Sequence, residues 1–243
     1  MSRLFIGTSG WNYPHWQEGV FYPQGLSQDK WLEYYTQFFN SVELNVSFYR
    51  LLKRKTFENW HKRTPKNFYF IAKGSRFITH VKRLKGCKDS LNLFFDNVLR
   101  LKEKLVCILW QLPPGLKKDK ERLKGFLELL KNKKFITIRH AFEFRHPSWF
   151  DKEIFGLLKP YNFCLCIADS DQWPCVKEIT ADFIYLRFHG RDGLYSGNYS
   201  DKQLKDWARF AKNIKKDIFA FFNNDAGGYA VKNALRFRQF LER

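Results

Sequence analysis

The chain holds no run of about 20 apolar residues, which excludes a hydropathic membrane-spanning helix and a membrane partner of that kind. It has no Pro/Gly/Ser-rich linker and no low-complexity tract. Nothing divides it, so residues 1–243 are expected to form a single domain. The N-terminus, MSRLFIGTSG, lacks the long apolar stretch and cleavage site of a secretory signal, and a cytoplasmic location is expected. The usual metal and nucleotide signatures are missing: there is no H-E-x-x-H, no C-x-x-C, no Walker A loop and no G-x-G-x-x-G. GTSGW matches a nucleophile elbow only loosely, because Trp11 stands where the last glycine belongs. No metal site is expected, and the sequence names no cofactor.

Acidic residues are scarce. There are 24 Asp and Glu against 43 Lys and Arg, a net charge of +19. Such a field attracts polyanions. The basic runs KKDKERLK (117–124), KNKK (131–134), VKRLKGCK (81–88) and KNIKK (212–216) are spread along the chain rather than gathered in one stripe. Charge alone supports only non-specific nucleic-acid affinity. Five cysteines, an odd count without a signal, argue for reduced thiols. Cys164 and Cys166 share one face of an apolar run, FCLCIAD, and read as small buried residues rather than a metal or redox pair.

Aromatic residues, by contrast, are abundant, with 26 Phe, so the core should be rich in Phe. Short β-rich runs recur at 4–9, 42–48, 68–74, 105–112, 135–144, 163–169, 183–190 and 218–224. Amphipathic helical patterns lie between most of them, at 29–39, 56–63, 89–104, 119–132, 151–161, 201–216 and 228–243. Asp29 reads as an N-cap, and the sixth connection, DSDQWPCVKEITAD, holds little helix. Eight β/α alternations predict an α/β fold, a (β/α)8 TIM-type barrel; a doubly wound open sheet is the alternative.

A barrel makes strand parity meaningful, because alternate residues face the interior and the helices. In VELNVSFY the polar parity is Glu43, Asn45, Ser47, Tyr49; in the fifth strand it is Arg139, Ala141, Glu143, Arg145; in the seventh it is Tyr185, Arg187, His189. The polar parity is therefore read as facing inwards, with Gly190 opening the loop above. Strand ends then deliver Ser9, Trp11, Asn45, Tyr49, Lys73, Gln111, Glu143, Arg145, Asp169, Arg187, His189, Asn223 and Asn224 to one rim. Charged groups seldom end apolar strands unless paired or used, so a polar pocket is expected there.

In that pocket Arg187, Arg145 and Lys73 are expected to hold a small anionic or phosphorylated ligand. Glu43 or Glu143 would act as base or acid with His189 as partner, while Asn45, Gln111 and Asn223 orient the ligand. Glu43 sits early in its strand and needs a cation, from Lys73 or Arg187. Gly227 and Gly228, opening the last helix, form a candidate anion site. His80 is placed within reach of the rim. The alternative function is nucleic-acid binding, with a metal-dependent nuclease as one form of it and Trp11, Trp16, Tyr195 and Tyr199 as stacking residues. A non-catalytic scaffold is a third reading, if the charges form a closed network.

The stretches GTSGWNYPHW (7–16), FYP (21–23), FFNSVELNVSFYRL (38–51), FIAKGSRFITH (70–80), LWQLPP (109–114), EFRHPSW (143–149), YLRFHGRDGLYSGNYS (185–200) and FFNNDAGGYAVKNA (221–234) resemble, in order, those of the YecE-like family, also called domain of unknown function 72. The resemblance implies a TIM-type barrel and no established reaction. Its motif positions here are Trp11, Glu43, Asn45, Tyr49, Lys73, His80, Gln111, Glu143, Arg145, Arg187, His189, Asn223 and Asn224, and Asp169 is similar to an acidic position of the family.

Overall fold

Each apolar run becomes a strand; among the described residues six of the seven connections between strands carry a helix, and a further helix follows the last strand. The structure, a computed structural model, describes residues 2–17, 19–193 and 195–243. The strands are β1 (Leu4–Thr8), β2 (Ser41–Leu44), β3 (Tyr69–Lys73), β4 (Leu105–Gln111), β5 (Arg139–Glu143), β6 (Cys164–Asp169), β7 (Phe183–Phe188) and β8 (Asp217–Phe222). All pair in parallel in the order β1-β8-β7-β6-β5-β4-β3-β2. The helices are α1 (Trp31–Tyr35), the short α2 (Val46–Tyr49), α3 (Arg54–Arg63), α4 (Lys88–Val98), α5 (Lys120–Leu130), α6 (Lys152–Leu158), α7 (Asp201–Ile214) and α8 (Tyr229–Glu242). The β6–β7 connection has no helix among its described residues. This is a TIM-type barrel, and no described helix is long and apolar enough to cross a membrane.

Two apolar clusters correspond to the two strand parities. Outward residues such as Ile184, Leu186 and Phe188 pack with helix residues such as Phe237; inward residues Phe5, Ile71, Cys107, Leu109, Cys164, Cys166, Tyr185 and Phe219 fill the barrel floor. Each fully buried side chain of this size stabilises the fold by roughly 1.5–3 kcal/mol. Helix α7 shows how sequence sets one element: Ser200 and Gln203 form a capping box, and Leu204, Trp207, Ala208 and Ala211 make its buried face. Cys164 and Cys166 are free and buried, and burial raises both thiols far above their ordinary range.

The seam between β1 and β2 is bridged by side chains instead of a backbone ladder. Asn40 accepts from the Ile6 amide at 3.2 Å and donates to the Leu4 carbonyl at 2.6 Å. The Tyr35 hydroxyl accepts from the Thr8 amide at 2.9 Å and reaches the Ser41 carbonyl at 3.2 Å. Gly7 allows this approach: a Cβ there would sit 2.0 Å from the Ser41 oxygen.

Three local expectations are corrected. β2 ends at Leu44, because Asn45 turns into the right-handed helical region (φ −78°, ψ −25°) and residues 46–49 form α2. β5 begins only at Arg139, the preceding residues 134–138 being a run of turns. Asp29 is not an N-cap; it lies inside a 3-10 turn, where its carboxylate accepts from the Ser27 hydroxyl.

Candidate functional site

The inward parity of the strand ends builds a buried charge network in the upper barrel. Arg187 on β7 lies at its centre. Its Nη2 donates to Glu43 Oε1 at 2.6 Å and its Nη1 to Glu143 Oε2 at 2.5 Å. Both carboxylates and the guanidinium are inaccessible to solvent. Glu43 also accepts from the Ser9 hydroxyl and the Tyr185 hydroxyl, each at 2.7 Å. The cationic partner of Glu43 is thus Arg187, not Lys73. Glu143 accepts from Arg145 Nε at 2.7 Å. Burial would raise the Glu143 carboxyl, but Arg187, Arg145 and His189 outweigh it and hold the group well below the usual range. Glu143 is therefore a fixed anion, ill suited to donate a proton at neutral pH.

His189 stands beside this pair, with Nε2 3.4 Å from Arg187 Nη1 and 3.6 Å from Glu143 Oε2. Its Nδ1 faces the Asn223 amide at 3.3 Å. Burial, then Arg187, push the imidazole down to about 4, so the ring is neutral at pH 7. Both nitrogens have polar neighbours, and the ring is a wall of the site more than a free base. Gly190, after it, has φ 89°, and a Cβ there would strike the Ser196 carbonyl at 1.6 Å. The loop folds back at once, which is why the strand stops here.

Arg145 and Trp173 lie next to this network. Arg145 packs its guanidinium on the Trp173 ring, 3.9 Å from the centroid, and Trp173 meets His189 edge-on at 5.1 Å. Arg145 Nη2, Trp173 Nε1, Arg187 Nε and Asn45 Oδ1 are buried and have no hydrogen-bond partner among the described residues. Lys73, at the end of β3, is 94% buried. Its Nζ lies 4.1 Å over the Phe48 ring and makes no hydrogen bond to a described residue. Burial, then Arg187 and Arg145, push this amine down to about 7, against the pull of Glu143 and Glu43. His80 packs edge-on against the same Phe48 at 4.9 Å, with Nδ1 2.9 Å from the Thr79 hydroxyl and Nε2 3.4 Å from the Gln111 amide. Burial, then Lys73, push it down to about 4.

Glu43, Asn45, Lys73, Gln111, Glu143, Arg145, Arg187, His189 and Asn223 of the sequence-derived set thus gather at this end of the barrel, with Ser9 and His80. Other members do not join them. Asp169 ends β6 on the outward parity, where it accepts from Arg191 Nε at 2.8 Å and Trp207 Nε1 at 3.1 Å. Asn224 is also outward, bonded to the Gly197 carbonyl and Asn233. Trp11 packs on Trp60 at 5.1 Å. Tyr49 is 71% exposed on α2, and its neighbour Phe48 faces the site instead. Gly228 caps α8, but the Asp225 carboxylate, held by Trp16 and His15, already lies at that terminus and opposes a second anion at Gly227 and Gly228. Of the four stacking candidates, Trp16 and Tyr199 are core residues, unavailable to a base.

Sequence reasoning missed Trp173 and Phe48. Trp173 lies in the helix-free DSDQWP segment, where only a bulky aromatic before proline marks it. No group of three or more His, Cys, Asp or Glu side chains assembles as a metal-binding set among the described residues. A wide recess of about 960 Å³ opens at the opposite, N-terminal end of the barrel, near Arg139, Lys216 and Asp217. Its central charges pair internally, Arg139 with Asp217 at 2.8 Å, and the strands of such barrels carry chemistry at their other ends. The candidate site therefore stays at the C-terminal mouth.

Comparison with known proteins gives one family. The model described as "Protein of unknown function DUF72" matches residues 5–243. "UPF0759 protein YunF" of Bacillus subtilis is 29% identical over 273 aligned positions, covering 98% of this chain and 95% of its own. "UPF0759 protein YecE" of Escherichia coli K12 is 28% identical over 150 positions, 61% of this chain and 51% of the relative. The crystal structure of a DUF72 family protein from Thermotoga maritima superposes with a TM-score of 0.88 at 30% identity, covering 99% and 100% of the two chains. A glycoside hydrolase family 5 enzyme of Prevotella bryantii, at TM-score 0.55 and 10% identity over 98% of this chain and 95% of that one, shares the fold alone.

Proposed function

The chain belongs to the DUF72 family, whose description assigns no reaction, and from the site itself we propose an enzyme acting on a small anionic or phosphorylated substrate at the C-terminal mouth of the barrel. One observation carries this reading: the buried Nη2 of Arg145, beside the indole N–H of Trp173, has no partner among the described residues. A buried donor left unpaired costs about 1–3 kcal/mol, more when charged. An anionic oxygen at that spot would satisfy both donors. The local charge agrees, since two guanidiniums and the Lys73 amine face two carboxylates, and an anion would balance the excess when Lys73 is protonated. Arg187 then serves by holding Glu43 and Glu143 rather than by gripping the ligand.

Isothermal titration with inorganic phosphate and with oxalate tests the reading. Wild type should bind at least one of them. Arg145→Gln should weaken that binding about 10- to 100-fold, the range of one or two charge-assisted hydrogen bonds, with the circular dichroism spectrum unchanged. Equal affinity in the variant, or no binding by wild type, would count against the anion site.

A second reading is nucleic-acid binding, and a different observation favours it. Residues 46–57 hold four Lys and Arg, residues 74–88 hold five, and neither segment has an acid. They emerge side by side above β2 and β3, with Tyr49 and Phe77 exposed. Other basic runs lie on outer helices such as α5 and α7. Fluorescence anisotropy with single-stranded DNA, duplex DNA and tRNA across a salt series distinguishes the two. If this rim tracks phosphates, Arg76→Ala/Arg83→Ala should reduce the slope of log affinity against log salt by about 2. A slope unchanged by the substitutions leaves only a diffuse field.

A further inference from the structure

We propose that Lys73 is a covalent nucleophile that forms an imine with a small oxo acid, whose carboxylate is held by Arg145 and Trp173. The proposal deepens the anion-site reading and rests on it. Its geometric basis is the placement of the amine. Lys73 ends β3 on the inward parity, at the level where β5 and β7 deliver Glu143 and Arg187. Its side chain is buried, yet Nζ meets an aromatic face and no hydrogen-bond acceptor among the described residues.

A structural lysine in a barrel behaves otherwise, and the same molecule supplies the contrast. Lys104, also buried, donates to the His61 carbonyl, the Thr64 carbonyl and the Thr64 hydroxyl, at 2.6, 2.6 and 3.0 Å. Lys104 ties down backbone; Lys73 makes no such bond among the described residues. A buried amine with no acceptor, an apolar wall and guanidiniums nearby is kept partly neutral, and neutral amines attack carbonyls. With the amine at about 7, at pH 7.5 Lys73 carries roughly two to three orders of magnitude more free base than a surface lysine.

The step balances as follows. The Lys73 nitrogen lone pair forms a C–N bond to the ketone or aldehyde carbon, and the carbonyl π pair moves to oxygen. The nitrogen loses a proton and the oxygen gains one, giving a carbinolamine. The nitrogen lone pair then forms the C=N bond as the C–O bond breaks, the hydroxyl departs as water with the remaining nitrogen proton, and the imine remains. His80 packs edge-on against the same Phe48 ring, and a solvent water relays the proton from nitrogen to oxygen. Glu143 stays ionised throughout, as its guanidinium neighbours require.

The assignment of an oxo acid, rather than a neutral carbonyl compound, comes from Arg145. Its unpartnered Nη2 and the Trp173 N–H supply two donors to a carboxylate, while Lys73 is drawn into the same electrostatic cluster as Arg145 and Arg187. A small molecule with its carbonyl next to its carboxylate has the two functional groups this arrangement asks for.

The test is reductive trapping of the full chain. Wild type, Lys73→Met and Lys73→Arg are incubated with pyruvate or glyoxylate and sodium cyanoborohydride at pH 7.5, then mapped by peptide mass spectrometry. The expected result is a single stoichiometric adduct on Lys73, heavier by the oxo acid less one oxygen atom, at least about tenfold above any other lysine. Both variants should lose it, and oxalate, which has no ketone or aldehyde carbonyl, should suppress it in wild type. No adduct, or labelling spread over surface lysines and unchanged in the variants, overturns the proposal. The anion titrations separate the two failures: if oxalate or phosphate binds through Arg145 and no adduct forms, the anion site stands and the imine falls; if neither binds, both fall.

Discussion

Arg187→Met is expected to lower the unfolding free energy by about 3–5 kcal/mol, the cost of stranding buried charge when one partner is removed. Two carboxylates lose their shared cation at once. Glu43 keeps only the Ser9 and Tyr185 hydroxyls and loses its cation, while Glu143 keeps Arg145 alone. The pH dependence follows from Glu143. Its folded pKa lies well below the ordinary value, so its stabilising contribution is present above the unfolded pKa and lost as pH falls through the folded one. In the variant that depression is largely removed. The deficit should be greatest near pH 7 and shrink as pH falls below the ordinary glutamate range, where the wild-type contribution of Glu143 is lost. Urea unfolding at several pH values measures this. A loss below about 1 kcal/mol at pH 7 would show that the bridge is not a main support of the upper barrel. The same expectation makes Arg187 a poor probe of ligand binding, because alanine there, alone or with His189→Ala, disturbs the fold along with the site.

Lys73→Met should act in the opposite direction. It removes a largely buried ammonium with no hydrogen-bond acceptor among the described residues and leaves an unbranched side chain to pack on Phe48. The amine sits at about 7 when folded and near 10.4 when unfolded. Between those values the unfolded chain binds more protons, so wild-type stability rises with pH. Below the lower value both states are protonated and the full penalty applies. The variant should therefore gain on the order of 3 kcal/mol at pH 6–7, with the gain fading as pH approaches 10. Thermal unfolding of both proteins from pH 6 to 10 checks it. A destabilised variant at pH 6 would mean that the ammonium is satisfied in the fold. A residue that costs stability while lying in a strand-end site fits a functional demand.

Much of this architecture is local information. The eight apolar runs and the helical patterns between them specify strands and helices through periodicities of 2 and 3.6. Parity within β5 and β7 was legible for the same reason: alternate residues must face opposite sides of a strand, and only one side of Glu143 and Arg187 is lined by other polar strand ends. The need of Glu43 for a cation was also legible, since a carboxylate within a barrel has no water.

What the sequence left open depends on contacts distant along the chain. Parity is lost after β2, where Asn45 turns into α2, so Phe48 rather than Tyr49 faces the site. Asp169 lies on the outward side because the register of β6 against β7 puts Ala168, not Asp169, beside Arg187. Trp173 covers Arg145 from a loop without periodicity, and nothing local directs it there. The choice of Arg187 over Lys73 as the bridge, which leaves Lys73 without an acceptor, was decided by side-chain reach across the barrel between residues 144 positions apart. Strand identity comes from the pattern of a few neighbouring residues; which buried donor goes unpaired comes only from the closed sheet that brings eight strand ends together.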